Sequence, residues 1–364
     1  MERQERPLRR GWTTGACATA AAKAAFSALV TGEFPDPVEV TLPRGERPSF
    51  ALALTRKEDG SATAGVIKDA GDDPDVTHGA LVLATVRLGL PGAGVTFRAG
   101  EGVGMVTRPG LPVPPGEPAI NPVPRRMITG AIAEVAAAAG RAADAAVEIA
   151  IPGGEALAAK TLNGRLGIVG GLSILGTTGI VVPYSCSAWI HSIHRGIDVA
   201  RAAGLTHIAG ATGASSEAAV RKFHGLPDVA LIDMGDFVGG MLKYLRRHPV
   251  PRVTIAGGVA KMTKLAQGLT DLHSKRGEVD HALLANFAQA SGGPEELCAR
   301  IMTANTAAEA FALAQSDGIA LGDRVALAAK ATAEHVVEGQ DIAIEIVLFD
   351  RDGVMVGRAP FEPD

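Results

Sequence analysis

The sequence predicts an N-terminal α+β domain followed by a Rossmann-like α/β domain with a parallel sheet. Three observations predict this. The length, 364 residues, exceeds the usual span of one domain. The first half mixes short β-branched runs with helical stretches. The second half repeats one unit three times: an apolar strand, a glycine-containing turn and a helix. The expected divisions are 1–155 for the α+β domain, 156–335 for the Rossmann-like domain and 336–364 for a C-terminal β-hairpin.

Taken in order, "TTGACATAAAKAAFSALV" is a helix capped by Thr13 or Thr14 and running to about Val30. Its start carries almost no side-chain bulk. Either a ligand anion or another part of the core can approach it, and the residues leave both readings open. Strands follow at 37–43, 49–54 and 61–69, separated by turn residues. Residues 79–88 read as strand or helix, and 94–107 as a strand pair broken by glycines. Residues 108–127 hold seven prolines and form a long irregular loop, a feature that is usually functional. A helix over 126–140 and a strand over 145–152 close this half. The three repeated units span 206–223, 229–247 and 252–269. Their alternation predicts parallel pairing through crossovers. Helices dominate 280–335, and the tail folds back around "DRDG" as a hairpin.

Composition narrows the function. Hydrophobic residues make up 47% and charged residues 20%, as in a globular protein with a large core. Aromatics are 4%, so that core is aliphatic. A net charge of −4 argues against a nucleic-acid partner. The charged start "MERQERPLRRGW" lacks the apolar segment of a secretory signal, and no apolar run reaches the roughly 18 residues of a membrane span. Three well-separated cysteines without C-x-x-C point to a reducing, cytoplasmic setting with no protein-bound metal.

"GEGVG" (100–104) is not a nucleotide loop, because "MVTRPGLPVPP" cannot supply the helix such a loop needs. Its glycines instead let a group lie against the backbone, with Glu101 beside it. In "AGATGASSE" (209–217), Gly210 and Gly213 fall between a strand and a helix, and Asp233 ends the next strand twenty residues after Gly213. That geometry favours a nucleoside ligand such as S-adenosylmethionine or NAD; a helix cap and turn explains the same residues. "HSIH" puts His191 and His194 on one helix face without a spaced third metal ligand. The acidic loop "IKDAGDDPDVTHG" (67–79) lacks the calcium-loop pattern. A turn at Asp73-Pro74 and a cap at Asp75 or Thr77 explain part of it. The gathering of Lys68, Asp69, Asp72 and Asp73 is left over, and something cationic or proton-donating would relieve their repulsion. "KTLNGRLGIVGGLSILGTTGIV" (160–181) joins glycine backbone, Lys160 and Arg165 into a surface suited to carboxylates or phosphates.

In this order, "GWTTGACATAAAKAA", "KDAGDDPDVTHG", "GEGVGMVTRPGL", "GEPAINPVPRRMI" and "KTLNGRLGIVGGLSILGTTGIVVPYS" resemble the CbiD family, and "AGGVAKMTKLAQGLTDLHS" resembles its C-terminal half. The likeness runs from about residue 10 to about residue 275. It implies methyl transfer from S-adenosylmethionine to carbon 1 of cobalt-precorrin-5B, giving cobalt-precorrin-6A, in anaerobic cobalamin biosynthesis. The cobalt belongs to the substrate. Two departures stand in the C-terminal half, "ATGAS" (211–215) for an expected "TPGN" and "GGVAK" (257–261) for an expected "GHxGK". They spare a backbone role there and put a side-chain role in question.

The resemblance implies catalytic positions at Asp69, Asp72, Asp73 and Glu101. It implies contacts to the ring's carboxylates at Thr13, Thr14, Lys68, Arg108, Arg125, Arg126, Lys160, Arg165, Thr177 and Thr178. The methyl donor would sit at Gly210, Gly213, Asp233, Gly257 and Gly258. Other readings of the chain are an NAD(P)-dependent reductase and a non-catalytic corrinoid-binding protein. A homodimer is compatible with the sequence.

Overall fold

The alanine-rich segment folds as the helix Thr14–Thr31, because its first and last turns are closed locally. The Thr13 side chain accepts the Ala16 N–H, and Gly32, at φ 94°, donates to the Ala28 carbonyl. In the computed structural model, which describes residues 7–362, this helix is buried from Thr14 to Ala28 except at Lys23. Small side chains let it sit against the strands Ser61–Ile67 and Leu81–Leu88 and the helix Pro122–Ala138. An added Cβ at Gly15 would fall 2.7 Å from Pro124, and the Gly15 N–H donates to the Leu175 carbonyl at 3.0 Å. The group that approaches this helix start is therefore the chain itself.

The chain divides into two units, Met1–Ser185 and Cys186–Asp364. In the first, a five-stranded sheet runs in the order Leu54–Glu58, Ser61–Ile67, Leu81–Leu88, Ala145–Ala150, Val95–Ala99. The pairings are antiparallel except the last, which is parallel. Residues 81–88 are strand and not helix.

Three two-stranded pairs complete the unit: Val38–Glu39 with Ser49–Phe50, Gly11–Trp12 with Ile180–Val181, and Met105–Val106 with Ile168–Val169. The expected strand pair at 94–107 is thus two strands with different partners. The expected boundary at 155/156 lies thirty residues too early, because 168–181 supplies strands to the first unit.

In the second unit the three strand–turn–helix repeats form as read. The sheet order is Leu231–Asp233, His207–Ala211, Arg252–Gly258, Ala343–Phe349, Met355–Ala359. The first four strands are parallel and the last is antiparallel. The tail hairpin therefore belongs to this sheet and is not a separate domain at 336–364.

The sheet's two faces carry unequal cores. Ile208, Val253, Ile255, Ile344 and Ile346 pack under helices that include Cys186–Ala202, Val238–Leu245 and Leu321–Val337. Ala209, Ala256, Val347 and Phe349 pack under the helix Ala214–His224 through Val220. No described helix is long and apolar enough to cross a membrane.

Candidate active site

In the first unit, the acidic loop turns between Ser61–Ile67 and Leu81–Leu88, and each carboxylate has its own partner. Asp69 pairs with the Arg9 guanidinium and accepts the Gly71 N–H at 2.9 Å. Asp72 accepts the Arg9 backbone N–H at 2.6 Å. Asp73 accepts the Tyr184 N–H at 2.9 Å. Asp75 pairs with Lys68 and accepts the Thr77 N–H at 2.8 Å.

The Lys68 side chain is only 3% exposed, so its ammonium is enclosed with Asp75 and Thr77. The Arg9 hydrogen bond, then the Gly71 N–H, hold the Asp69 carboxyl down to about 2. Burial pushes Asp75 up, but the Lys68 charge and the bonds from Lys68 and Thr77 outweigh it and leave the carboxyl below its ordinary range. Burial pushes the Cys17 thiol up to about 12, which removes it as a nucleophile near neutral pH.

The proline-rich loop is braced by Arg125. Its Nε donates to the Ile120 carbonyl at 2.8 Å, and Nη2 donates to Pro118 at 3.0 Å and Glu117 at 3.1 Å. The guanidinium also stacks 5.2 Å from the Phe97 ring centroid. Arg126, one residue on, is exposed.

The pairing of Met105–Val106 with Ile168–Val169 brings Arg108 to Arg165, whose carbonyl accepts from Nη1 at 3.4 Å. Lys160 and Thr177 are exposed, and Thr178 accepts the Ile180 N–H at 3.2 Å in a local turn. Thr13 touches this turn, since a Cβ at Gly176 would fall 2.3 Å from its hydroxyl. Thr14 is buried. Glu101 is exposed and accepts the Gly153 N–H at 3.3 Å.

In the second unit, the carboxyl edge of the parallel strands gathers Gly213, Asp233 and Gly258. Gly213 and Gly258 are the N-caps of the helices Ala214–His224 and Val259–Ala266, and nothing lies within 4 Å of an added Cβ at either. Asp233 ends its strand, and its carbonyl accepts the Trp189 indole N–H at 3.1 Å.

Gly210 and Gly257 differ from the turn glycines expected of them. Gly210 lies inside its strand, where a Cβ would meet Met241 Sδ at 2.5 Å; a Cβ at Gly257 would meet Met262 at 2.7 Å and Thr212 at 2.9 Å. Both make room for neighbouring side chains.

Sequence reasoning missed three residues at this edge. Lys261 donates to the Thr212 carbonyl at 2.8 Å and pairs with the buried Asp236 Oδ1 at 3.1 Å. Trp189 is 45% exposed beside Gly235. The lysine of "GGVAK" was the available signal.

The parallel sheet with two open glycine caps at its carboxyl edge defines the second unit as a Rossmann-like α/β domain. The family model described as CbiD matches residues 1–183, and that described as CbiD, C-terminal domain, matches residues 271–360. A protein of a Bradyrhizobium strain named cobalt-precorrin-5B C(1)-methyltransferase is 65% identical over 97% of this chain and 94% of its own length. The protein of that name from Agrobacterium fabrum is 63% identical over 100% of this chain and 96% of its own. A solved structure described as cobalamin biosynthesis protein (cbiD) from Archaeoglobus fulgidus is 29% identical, covers 74% of this chain and 83% of that one, and has a TM-score of 0.41. The chain belongs to the CbiD family.

Proposed function

We propose that this chain is a C-methyltransferase that methylates carbon 1 of cobalt-precorrin-5B to give cobalt-precorrin-6A, with S-adenosylmethionine as donor, in anaerobic cobalamin biosynthesis in the cytoplasm. The observation that carries this reading is 65% identity across 97% of the chain to a protein named for that reaction. S-adenosylmethionine would supply an electrophilic methyl group on a sulfonium.

The donor set at the second unit's carboxyl edge fits a nucleoside. Gly213 and Gly258 leave two helix N-termini open to close backbone approach. Asp233 ends its strand at this edge, and a carboxylate there would hold ribose hydroxyls.

On the first unit, Arg108, Arg126, Lys160 and Arg165 offer cationic groups for the acetate and propionate carboxylates of the ring. Thr13, Thr14, Thr177 and Thr178 shape the adjoining turn. The chemistry asks for alignment more than for a nucleophile, and alignment lowers a barrier by about 7–11 kcal/mol. Within this reading, Asp69, Asp72, Asp73 and Glu101 keep negative charge near a developing cation or take a ring proton. The partners found for the four groups allow them also to act through the order they impose.

The test incubates purified protein with cobalt-precorrin-5B and methyl-labelled S-adenosylmethionine. One labelled methyl should appear on the ring by mass spectrometry. Binding of both molecules without transfer would defeat the enzyme reading and favour a corrinoid carrier.

A further inference from the structure

His207, His224 and Glu345, from two strands and one helix, meet at the amino edge of the second unit's sheet. His207 opens the strand His207–Ala211, Glu345 is the third residue of Ala343–Phe349, and His224 ends the helix Ala214–His224. Their ligand atoms all lie within 4.8 Å of one another. The closest pair is His224 Nε2 and Glu345 Oε2 at 2.6 Å. The Thr254 hydroxyl sits among them, 2.7 Å from Glu345 Oε2, 2.8 Å from His207 Nε2 and 3.5 Å from His224 Nε2.

We infer that these residues form a structural binding site for a divalent transition metal of the zinc class, with His207, His224 and Glu345 as ligands. Zinc prefers tetrahedral nitrogen and oxygen ligands at about 2.0–2.2 Å, which sets neighbouring ligand atoms about 3.3 Å apart. The separations here bracket that value, so shifts below about 1 Å complete the shell. Thr254 Oγ1, or a water in its place, takes the fourth vertex.

The surroundings are those of a ligating carboxylate. Arg358 donates through Nε at 2.8 Å and Nη2 at 2.7 Å to Glu345 Oε1, which fixes the carboxylate and leaves Oε2 facing the imidazoles. Glu345 is fully buried. Phe361 lies 5.3 Å from the His207 ring and Phe223 lies 4.6 Å from the His224 ring, and the guanidinium groups of Arg252 and Arg358 stack on those two phenyl rings. On binding, the metal takes the place of the hydrogen bond between His224 Nε2 and Glu345 Oε2. The site ties the end of one helix to three strands. It lies at the sheet edge opposite the carboxyl ends where the nucleoside is placed, so its role is structural.

The test strips the full-length protein with a chelator and titrates zinc against a chromophoric competitor. One tight site per chain is expected, with a rise in melting temperature on zinc addition. His224→Gln keeps an amide donor for Glu345 but not a ligand, so it should fold, lose the site and lose the thermal shift. His207→Ala should do the same, and Arg358→Gln should weaken binding about 10–100-fold. The double substitution His191→Ala, His194→Ala should leave binding unchanged. A folded wild type that binds no zinc, or a folded His207→Ala, His224→Gln double variant that binds it as wild type does, overturns the site.

Discussion

The backbone N–H of Tyr184 donates to a carboxylate oxygen of Asp73 at 2.9 Å, across 111 residues of chain. Among the described residues, Tyr184 is also the one non-glycine residue held at positive φ, 54°. The acidic loop therefore fastens the last residues of the first unit, as Asp69 and Asp72 fasten Arg9. Asp73→Asn keeps an acceptor and should leave thermal stability within about 0.5 kcal/mol of wild type, whereas Asp73→Ala should cost about 1 kcal/mol. If both variants melt together well below wild type, the charge matters more than the acceptor. If both keep full methyl-transfer rate, Asp73 has no part in catalysis.

Acid should loosen this loop in a defined window. The folded carboxyls of Asp69, near about 2, and Asp75 lie below their unfolded values. A depressed carboxyl contributes stability that is complete above the unfolded value of about 3.9 and is lost as pH falls through the folded one. Chemical denaturation of wild type should thus lose stability below about pH 4, and Asp69→Asn should show a flatter profile there. Identical slopes would remove Asp69 from the linkage.

Lys68→Met leaves the half-buried Asp75 without its counter-charge. The expected cost is ~2–3 kcal/mol, discounted from a fully buried pair because Asp75 is 23% exposed. A melting curve unchanged from wild type would show that solvent reaches Asp75 freely.

Arg125 and Arg126 should behave differently. Arg125→Ala removes the brace of the proline-rich loop and should lower stability by about 2 kcal/mol. Arg126→Ala should leave the melt unchanged and weaken corrinoid binding in a calorimetric titration. Undiminished corrinoid affinity in Arg126→Ala would take that residue out of the proposed contacts.

The glycines of the second unit offer a similar contrast. Gly210→Ala meets only the flexible ends of Met241 and Met234, which can shift, and should cost no more than about 1 kcal/mol. Gly213→Ala and Gly258→Ala place a methyl in open space and should fold normally while weakening S-adenosylhomocysteine binding. Unaltered binding in both would move the nucleoside away from this edge.

The repeated units were legible because each declares itself locally, as an apolar run, a glycine and a helical period. What was not legible depends on partners distant in sequence. Met105–Val106 looked like the mate of Val95–Ala99, but its own mate is Ile168–Val169. That one long-range pairing also moves the domain boundary from 155/156 to 185/186. The surplus of aspartates near Lys68 was visible. Its explanation was not, since Arg9 and Tyr184 lie about sixty and over a hundred residues away. His207, His224 and Glu345 follow no motif spacing, so only the sheet register and the packing of one helix end unite them. Gly210 shows the opposite error, a turn-like signature whose glycine answers to two methionines.

The buried helix Thr14–Thr31 has one further implication, for sequence change. Alanine has no rotamers, so its burial costs no side-chain entropy, and equally it has no alternative rotamer with which to absorb a larger neighbour. Ala16, Ala18, Ala20, Ala21, Ala22, Ala24 and Ala25 are all fully buried. An added methylene there can be accommodated only by moving backbone. A mutational scan should find this helix far less permissive than the isoleucine- and methionine-lined core of the second unit, where long side chains can rearrange around a new neighbour.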